Sequence, residues 1–304
     1  MIHTKKIDYE NFGRALRIRH ENMEMVVTTG VGPRILFFGE KGGDNLLYND
    51  LNRTAVNRSA LHASVFGAGN PYYFYGGHRV WASPEHDPHS NCPDNAPPEV
   101  VFTENSVSFI SAPQPVTGLQ LSLTVIPEPG RFHIVNQVKN LSDDLKTLAA
   151  WGITQFAPGG RLIVPQNTTD TGLLPNRHMT VWPYTTLTDS RVGYGKEYIV
   201  VAHNPKVAAP YKLGIDNTRG WLAYLNKGYL FKKSFAWEEN KVYPDNNVNC
   251  EFYLNGQFIE AECLSYLKVL GKNDVIEAEE AWALTKIDTT PDFSNENSIS
   301  ALIR

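Results

Sequence analysis

Short runs in which apolar and polar residues alternate, each closed by a turn, recur along most of this chain. Ala15-Leu-Arg-Ile-Arg19, Leu119 to Ile126, Phe132 to Val138, Tyr198 to His203 and Tyr211 to Ile215 all follow this rhythm. A period of two places successive side chains on opposite faces of a β-strand. Pro127-Glu-Pro-Gly130, Asn140-Leu-Ser-Asp-Asp144 and Asn226-Lys-Gly228 supply turns at short spacing. Helical periodicity is nearly absent, and Leu51 to Ala63 reads as loop or one short helix. Many short strands with frequent turns pack as a sandwich or a closed antiparallel fold. We therefore expect an all-β chain, a large antiparallel β-sandwich. No linker or internal repeat is legible, so residues 1–304 are expected to form a single domain. Large all-β folds reach this length as one unit, and the chain is long enough to bury a substantial core.

Composition narrows the partners. Hydrophobic residues make up 42% of the chain and charged residues 20%, the balance of an ordinary globular protein. The net charge is −4 with no basic block, so neither nucleic acid nor an anionic membrane surface is expected. No apolar run approaches the roughly 20 residues of a membrane helix. Met1-Ile-His-Thr-Lys-Lys6 has no apolar stretch behind its lysines, so no secretory leader is expected. Cys92, Cys250 and Cys263 are a sparse and odd set, which suits a reducing cytoplasm, the expected location.

Chemistry concentrates in Tyr72-Tyr-Phe-Tyr-Gly-Gly-His-Arg-Val-Trp-Ala-Ser-Pro-Glu85. A purely structural strand is built from Val and Ile. An imidazole, a guanidinium and an indole in quick succession are costly to bury without partners. Gly76-Gly77 permits a turn or a close approach to a ligand. His78, Arg79, Trp81 and Glu85 thus read as a site for something polar with one flat face, as a sugar has. The competing reading is an aromatic core strand whose Arg79 snorkels to solvent. The loop that follows, His86 to Pro98, carries four prolines and excludes regular structure. Glu85, His86, His89 and Cys92 are a potential metal set, but His-x-x-His on a proline-rich loop is a weak signal for zinc. A solvated loop is expected, with no metal. Neither a phosphate-binding glycine loop nor a Gly-x-Ser-x-Gly nucleophile elbow occurs, and no cofactor is expected.

A second cluster lies in Asn249 to Cys263. Asn255-Gly256 between alternating runs is a strong hairpin signal. A two-residue loop sets Leu254 against Gln257, Tyr253 against Phe258, Glu251 against Glu260 and Asn249 against Glu262. One side then carries Cys250, Phe252, Leu254, Ile259, Ala261 and Cys263, a core face apart from Gln257. The other carries Asn249, Glu251, Tyr253, Phe258, Glu260 and Glu262. Like charges across a ladder destabilise it. Three carboxylates therefore call for bulk water, a cation such as Arg79, a metal or a catalytic role. Crowded carboxylates raise one another's pKa, as a general base requires.

Gly76-Gly-His-Arg-Val-Trp-Ala-Ser-Pro-Glu85 resembles the Gly-Gly-His-Arg-Leu-Trp-x-Ala-Pro-Glu motif of a branch of the galactose mutarotase-like superfamily. Pro93-Asp-Asn95, Trp151-Gly-Ile-Thr-Gln-Phe-Ala-Pro-Gly-Gly160, Leu174-Pro-Asn-Arg177, Val181-Trp-Pro-Tyr184, Tyr243-Pro-Asp245, Asn249-Cys-Glu251 and Phe258-Ile-Glu-Ala-Glu262 are similar to that branch in the same order. The resemblance runs from about Arg17 to about Thr285. It implies a β-supersandwich with a concave sugar-binding sheet, and fold alone does not imply function. Aldose 1-epimerases of the superfamily use a glutamate base and a histidine acid to open and reclose a sugar ring. By position Glu262 resembles the base. The position of the acid is held by Thr154 or Gln155, neither of them an acid, and His78 is the candidate replacement. The expected function is sugar binding in a concave cleft, with aldose 1-epimerase-like isomerisation and no cofactor. Glu262 and His78 are the expected catalytic pair. Arg79, Trp81, Glu85, Asn249, Glu251, Glu260, Trp151 and Gln155 are the expected contacts to a small carbohydrate. The alternatives are a non-catalytic carbohydrate-binding module and a metal-assisted sugar lyase or isomerase.

Overall fold

The alternating runs pair into two large sheets in the computed structural model, which describes residues 2–303. The first sheet has eleven strands. It runs in space from His3–Asp8 through Arg14–His20, Met23–Thr28, Ile35–Glu40, His78–Ser83, Lys146–Phe156, Ile259–Leu264, Cys250–Leu254 and Tyr211–Ile215 to Met179–Val181. Lys268–Leu270 pairs with the outer end of Lys146–Phe156. The second sheet has ten strands, with Trp221–Asn226, Tyr229–Phe235, Val275–Lys286, Arg131–Asn140 and Leu119–Glu128 at its centre. Among the described residues α-helix is confined to Ala60–Phe66, Glu296–Ile303 and a single turn at Pro244–Asn247, with 3-10 turns at Glu10–Phe12 and, inside the proline-rich loop expected to lack regular structure, at His89–Asn91. The expected β-sandwich is what the chain forms. Within the stretch 51–63, helix begins only at Ala60, where the Ser59 hydroxyl accepts from the His62 backbone N–H at 3.2 Å.

Inner faces of the two sheets meet in one core cluster. Phe38 of the first sheet packs on Phe231 and Trp282 of the second, with ring centroids 4.5 and 5.3 Å away. All three are fully buried. Each such side chain contributes about 1.5–3 kcal/mol through burial.

A ring of polar side chains also crosses this interior. His78 Nδ1 lies 2.9 Å from Thr154 Oγ1, and its Nε2 lies 2.8 Å from Asn136 Oδ1. The Asn136 amide reaches Glu280 at 3.2 Å. Lys233 Nζ sits 3.1 Å from the Glu280 carboxylate and 2.8 Å from Thr154 Oγ1. The Trp282 indole N–H donates to Glu280 at 2.7 Å. Burial alone would raise the Glu280 pKa, but Lys233 and His78 hold it below its usual value. Gly152 makes room, because a Cβ there would overlap Glu280 Oε1.

Two expectations of local structure need correction. Gly76 and Gly77 have φ of 97° and 67°, and a side chain on either would overlap a carbonyl oxygen, Tyr48 O or Ile35 O. They admit a neighbouring backbone, not a ligand. The Asn255-Gly256 hairpin also has a longer loop than a two-residue turn. Leu254 pairs with Ile259, so Glu251 faces Glu262 and Tyr253 faces Glu260. Neither Asn255 nor Gly256 adopts the positive φ of a type I′ turn. Instead, Asn255 Oδ1 accepts from the backbone N–H groups of Gln257 (2.7 Å) and Phe258 (3.1 Å). The slip is two residues, so the paired strand residues keep their expected faces, while Gln257, in the longer loop, turns to the cleft.

Candidate functional site

Five neighbouring strands of the first sheet turn their outward residues into one concave surface. His78–Ser83 contributes Arg79 and Trp81, and Lys146–Phe156 contributes Trp151, Ile153 and Gln155. Ile259–Leu264 contributes Glu260 and Glu262, Cys250–Leu254 contributes Tyr253, and Tyr211–Ile215 contributes Lys212. Phe74, Glu85, Trp182, Tyr184 and Phe258 complete the walls of a cleft of about 460 Å³. That size suits a small organic ligand.

Two cations organise the floor. The Lys212 ammonium lies 2.7 Å from Glu251 Oε2 and 2.9 Å from Glu262 Oε2. It also stands 4.7 Å from the ring centroids of both Trp151 and Trp182. Burial alone would disfavour this ammonium, but Glu262 and Glu251 reverse the effect and hold Lys212 charged. The Trp151 indole N–H donates to the same Glu262 oxygen at 2.9 Å. Arg79 pairs with Glu260 Oε1 at 3.2 Å, and the Gln155 amide donates to that oxygen at 2.8 Å. The Arg79 guanidinium covers Trp81 at 4.5 Å.

The carboxyl groups divide by environment. Burial pushes Glu251 well above the usual carboxylate range; Lys212 opposes this and Glu262 adds to it. Burial also raises Glu260, against the pull of Arg79 and with a further push from Glu262. Four atoms on the cleft's buried side chains have no hydrogen-bond partner among the described residues: Arg79 Nε and Nη1, Gln155 Oε1 and Glu262 Oε1. An unpaired buried polar group costs about 1–3 kcal/mol. Donors and acceptors left open in one cleft are met together by hydroxyl groups, which both donate and accept.

Of the residues expected from sequence, Arg79, Trp81, Glu85, Trp151, Gln155, Glu260 and Glu262 surround this cleft, with Glu85 at its exposed lip. Glu251 lies beneath the floor, fully buried behind Lys212. Two residues lie elsewhere. Asn249 does not reach Glu262; its side chain clamps the Asn217 backbone, accepting from N–H at 2.7 Å and donating to the carbonyl at 3.2 Å. His78 points into the space between the sheets and is fully buried. Strand parity explains the correction, since His78 and Arg79 are consecutive and so take opposite faces. Burial, aided by Lys233 and opposed by Glu280, brings the His78 pKa down to about 4. The expected pairing of His78 with Glu262 across one cleft is therefore not formed.

No family model matches the chain, and no curated protein matches its sequence. Solved structures do match. The Slr1438 protein from Synechocystis sp. PCC 6803 shares 11% identity over 93% of this chain and 96% of its own, with a TM-score of 0.56. A galactose mutarotase-like protein from Lactobacillus casei shares 8% identity over 89% of this chain and 100% of its own, also at 0.56. A candidate aldose 1-epimerase from Escherichia coli K12 shares 9% identity over 94% of this chain and 100% of its own, at 0.52. The fold is that of the galactose mutarotase-like proteins. Identity this low carries the fold and leaves the mutarotase-like chemistry to be argued from the cleft itself.

Within this mutarotase-like sandwich the decisive addition is Lys212. Its only sequence signal is a lysine inside the alternating run Tyr211 to Ile215. Trp182 and Tyr184 belong to the Val181-Trp-Pro-Tyr184 stretch, but nothing local shows that it folds over the cleft. Among the described residues no three His, Cys, Asp or Glu side chains converge as a metal site requires. His86 and His89 instead stack on each other, 4.7 Å apart.

Proposed function

We propose that the cleft binds an aldose and that the protein isomerises it at the anomeric carbon, with Glu262 as the base. The observation that carries this reading is the set of open donors and acceptors on Arg79, Gln155 and Glu262 inside one aromatic-walled cleft. Glu262 is oriented for the task. Its Oε2 is tied to Lys212 and Trp151, and Oε1 remains to accept a proton. Trp182, Tyr184, Tyr253 and Phe258 offer ring faces for the C–H side of a pyranose.

The test is anomer exchange. Exchange spectroscopy on α-D-glucose or α-D-galactose should show interconversion above the uncatalysed rate. Glu262→Gln should lower it by about 10²–10⁴-fold, the usual weight of a general base, with affinity changed only a few-fold. A second reading, a non-catalytic carbohydrate-binding module, is favoured by one observation: among the described residues no histidine lines the cleft. Sugar binding without exchange in the wild type would select it.

A further inference from the structure

We propose that Glu260 is the proton donor of this cleft, in the role a histidine fills in the aldose 1-epimerases that the sequence resembles. The inference rests on the isomerase reading above. Glu260 and Glu262 stand two residues apart on one strand and face the same side, with Cα atoms about 7 Å apart. O1 and O5 of an aldose are bonded to one carbon, so a base and an acid must close on a single centre from two sides. Two side chains rising from one face at this spacing can do so.

Hydrogen bonding gives the two carboxyls mirror-image roles. Glu262 Oε2 takes the charged Lys212 and the Trp151 N–H, which leaves Oε1 as an acceptor. Glu260 Oε1 takes both the Gln155 amide and Arg79, and its Oε2 makes no hydrogen bond among the described residues. A proton on Glu260 therefore sits on Oε2, and the doubly bonded oxygen keeps both donors. Facing Glu260 are Gln155 from the adjacent strand, Arg79 from the strand beyond it, Tyr253 opposite it in the hairpin, Glu262 and Lys212. Burial and Glu262 favour the protonated form, against Arg79. Lys212 is excluded as donor, because giving up its proton would leave Glu251 and Glu262 buried without a cation.

The step balances without a co-reactant. Glu262 Oε1 takes the proton from O1, the C1–O1 bond becomes a carbonyl, the C1–O5 bond breaks, and O5 takes the proton from Glu260 Oε2. After rotation about C1–C2, O5 attacks C1, Glu260 regains its proton from O5, and Glu262 returns its own to O1.

Purified protein is assayed by exchange spectroscopy on α-D-glucose and α-D-galactose, with binding followed by calorimetry. Glu260→Gln retains an oxygen for Arg79 and Gln155, so it should fold; its melting temperature checks this. Its turnover should fall by about 10²–10⁴-fold with affinity within a few-fold, and Glu260→Asp should recover part of the loss. Wild-type turnover should fall as pH rises and Glu260 loses its proton, and Glu260→Gln should lack that falling limb. Full turnover in Glu260→Gln, or a slow variant that keeps the limb, overturns the donor assignment and leaves the isomerase reading standing. Wild-type protein that binds sugar but never exchanges anomers overturns both.

Discussion

Lys212 carries more of the site than any other single residue. One ammonium serves two buried carboxylates, Glu251 and Glu262, at 2.7 and 2.9 Å. Removing one partner of a buried ion pair leaves an uncompensated charge and costs about 3–5 kcal/mol. Lys212→Met should lower unfolding free energy by about that amount in urea titrations at neutral pH. The loss should shrink toward acid pH, where Glu251, whose pKa burial raises, takes up a proton. Glu251 makes a second prediction, with a definite sign. Its pKa is raised in the folded state, chiefly by burial, so the folded chain holds this proton more firmly than the unfolded chain does. The contribution of Glu251 to stability is therefore most favourable below the unfolded value of about 4.3 and declines as pH rises from there toward the folded value. Glu251→Gln should remove that decline, read as a flatter stability profile between pH 4 and 7. A profile as steep as wild type would mean that Glu251 is ionised throughout. Glu280 acts in the opposite sense: its lowered pKa adds stability above the unfolded value, lost as pH falls through the folded one.

At the scale of strands, parity matters more than register. The hairpin of Cys250–Leu254 and Ile259–Leu264 slips by two residues from the register a two-residue loop would impose, yet its carboxylates stay on the cleft side. The cause is local. The Asn255 side chain gathers the N–H groups of Gln257 and Phe258, and Asn255→Ala should cost about 1–2 kcal/mol, at about 1 kcal/mol per lost bond. Gly152 shows a tighter constraint. It lies between Trp151 and Ile153, which face the cleft, and a Cβ there would enter the network of Glu280, Asn136 and His78. Overpacking of this kind costs about 1–3 kcal/mol. Gly152→Ala should be destabilised by at least that amount in urea, because the displaced atoms are themselves hydrogen-bonded and buried. Wild-type stability in this variant would mean that the network is loose.

Across the whole molecule, the outer face of one sheet gathers charge while its inner face and the second sheet supply the core. The cleft is lined by Glu85, Asp87, Glu260 and Glu262 against Arg79 and Lys212. Acidic groups outnumber basic ones, and the two cations are already paired, so the cleft should take neutral aldoses and disfavour uronates and sugar phosphates. Ligands that bind only the folded chain raise its melting temperature by mass action. A thermal-shift series should therefore show larger shifts with neutral sugars than with their uronate or phosphate counterparts. Larger shifts with the anions would mean that Arg79 leaves Glu260 to bind them.

Period-two alternation was enough to indicate a β-sandwich and to assign the faces of the Cys250–Cys263 hairpin, because side-chain direction along a strand is set locally. The cleft's chemistry was legible as far as residue type allowed: Arg79, Trp81, Gln155, Glu260 and Glu262 stand in motifs whose polarity a plain core strand would not carry. Partnership was not legible. Trp151 meets Glu262 across 111 positions of sequence, Gln155 meets Glu260 across 105, and Lys212 meets Glu262 across 50. His78 looked like a site residue beside Arg79, and only the packing of a second sheet against its face made it part of the interior. Local sequence settles which way a side chain points from its strand. What waits there, a cation, an indole or another sheet, is decided by contacts between segments far apart in the chain.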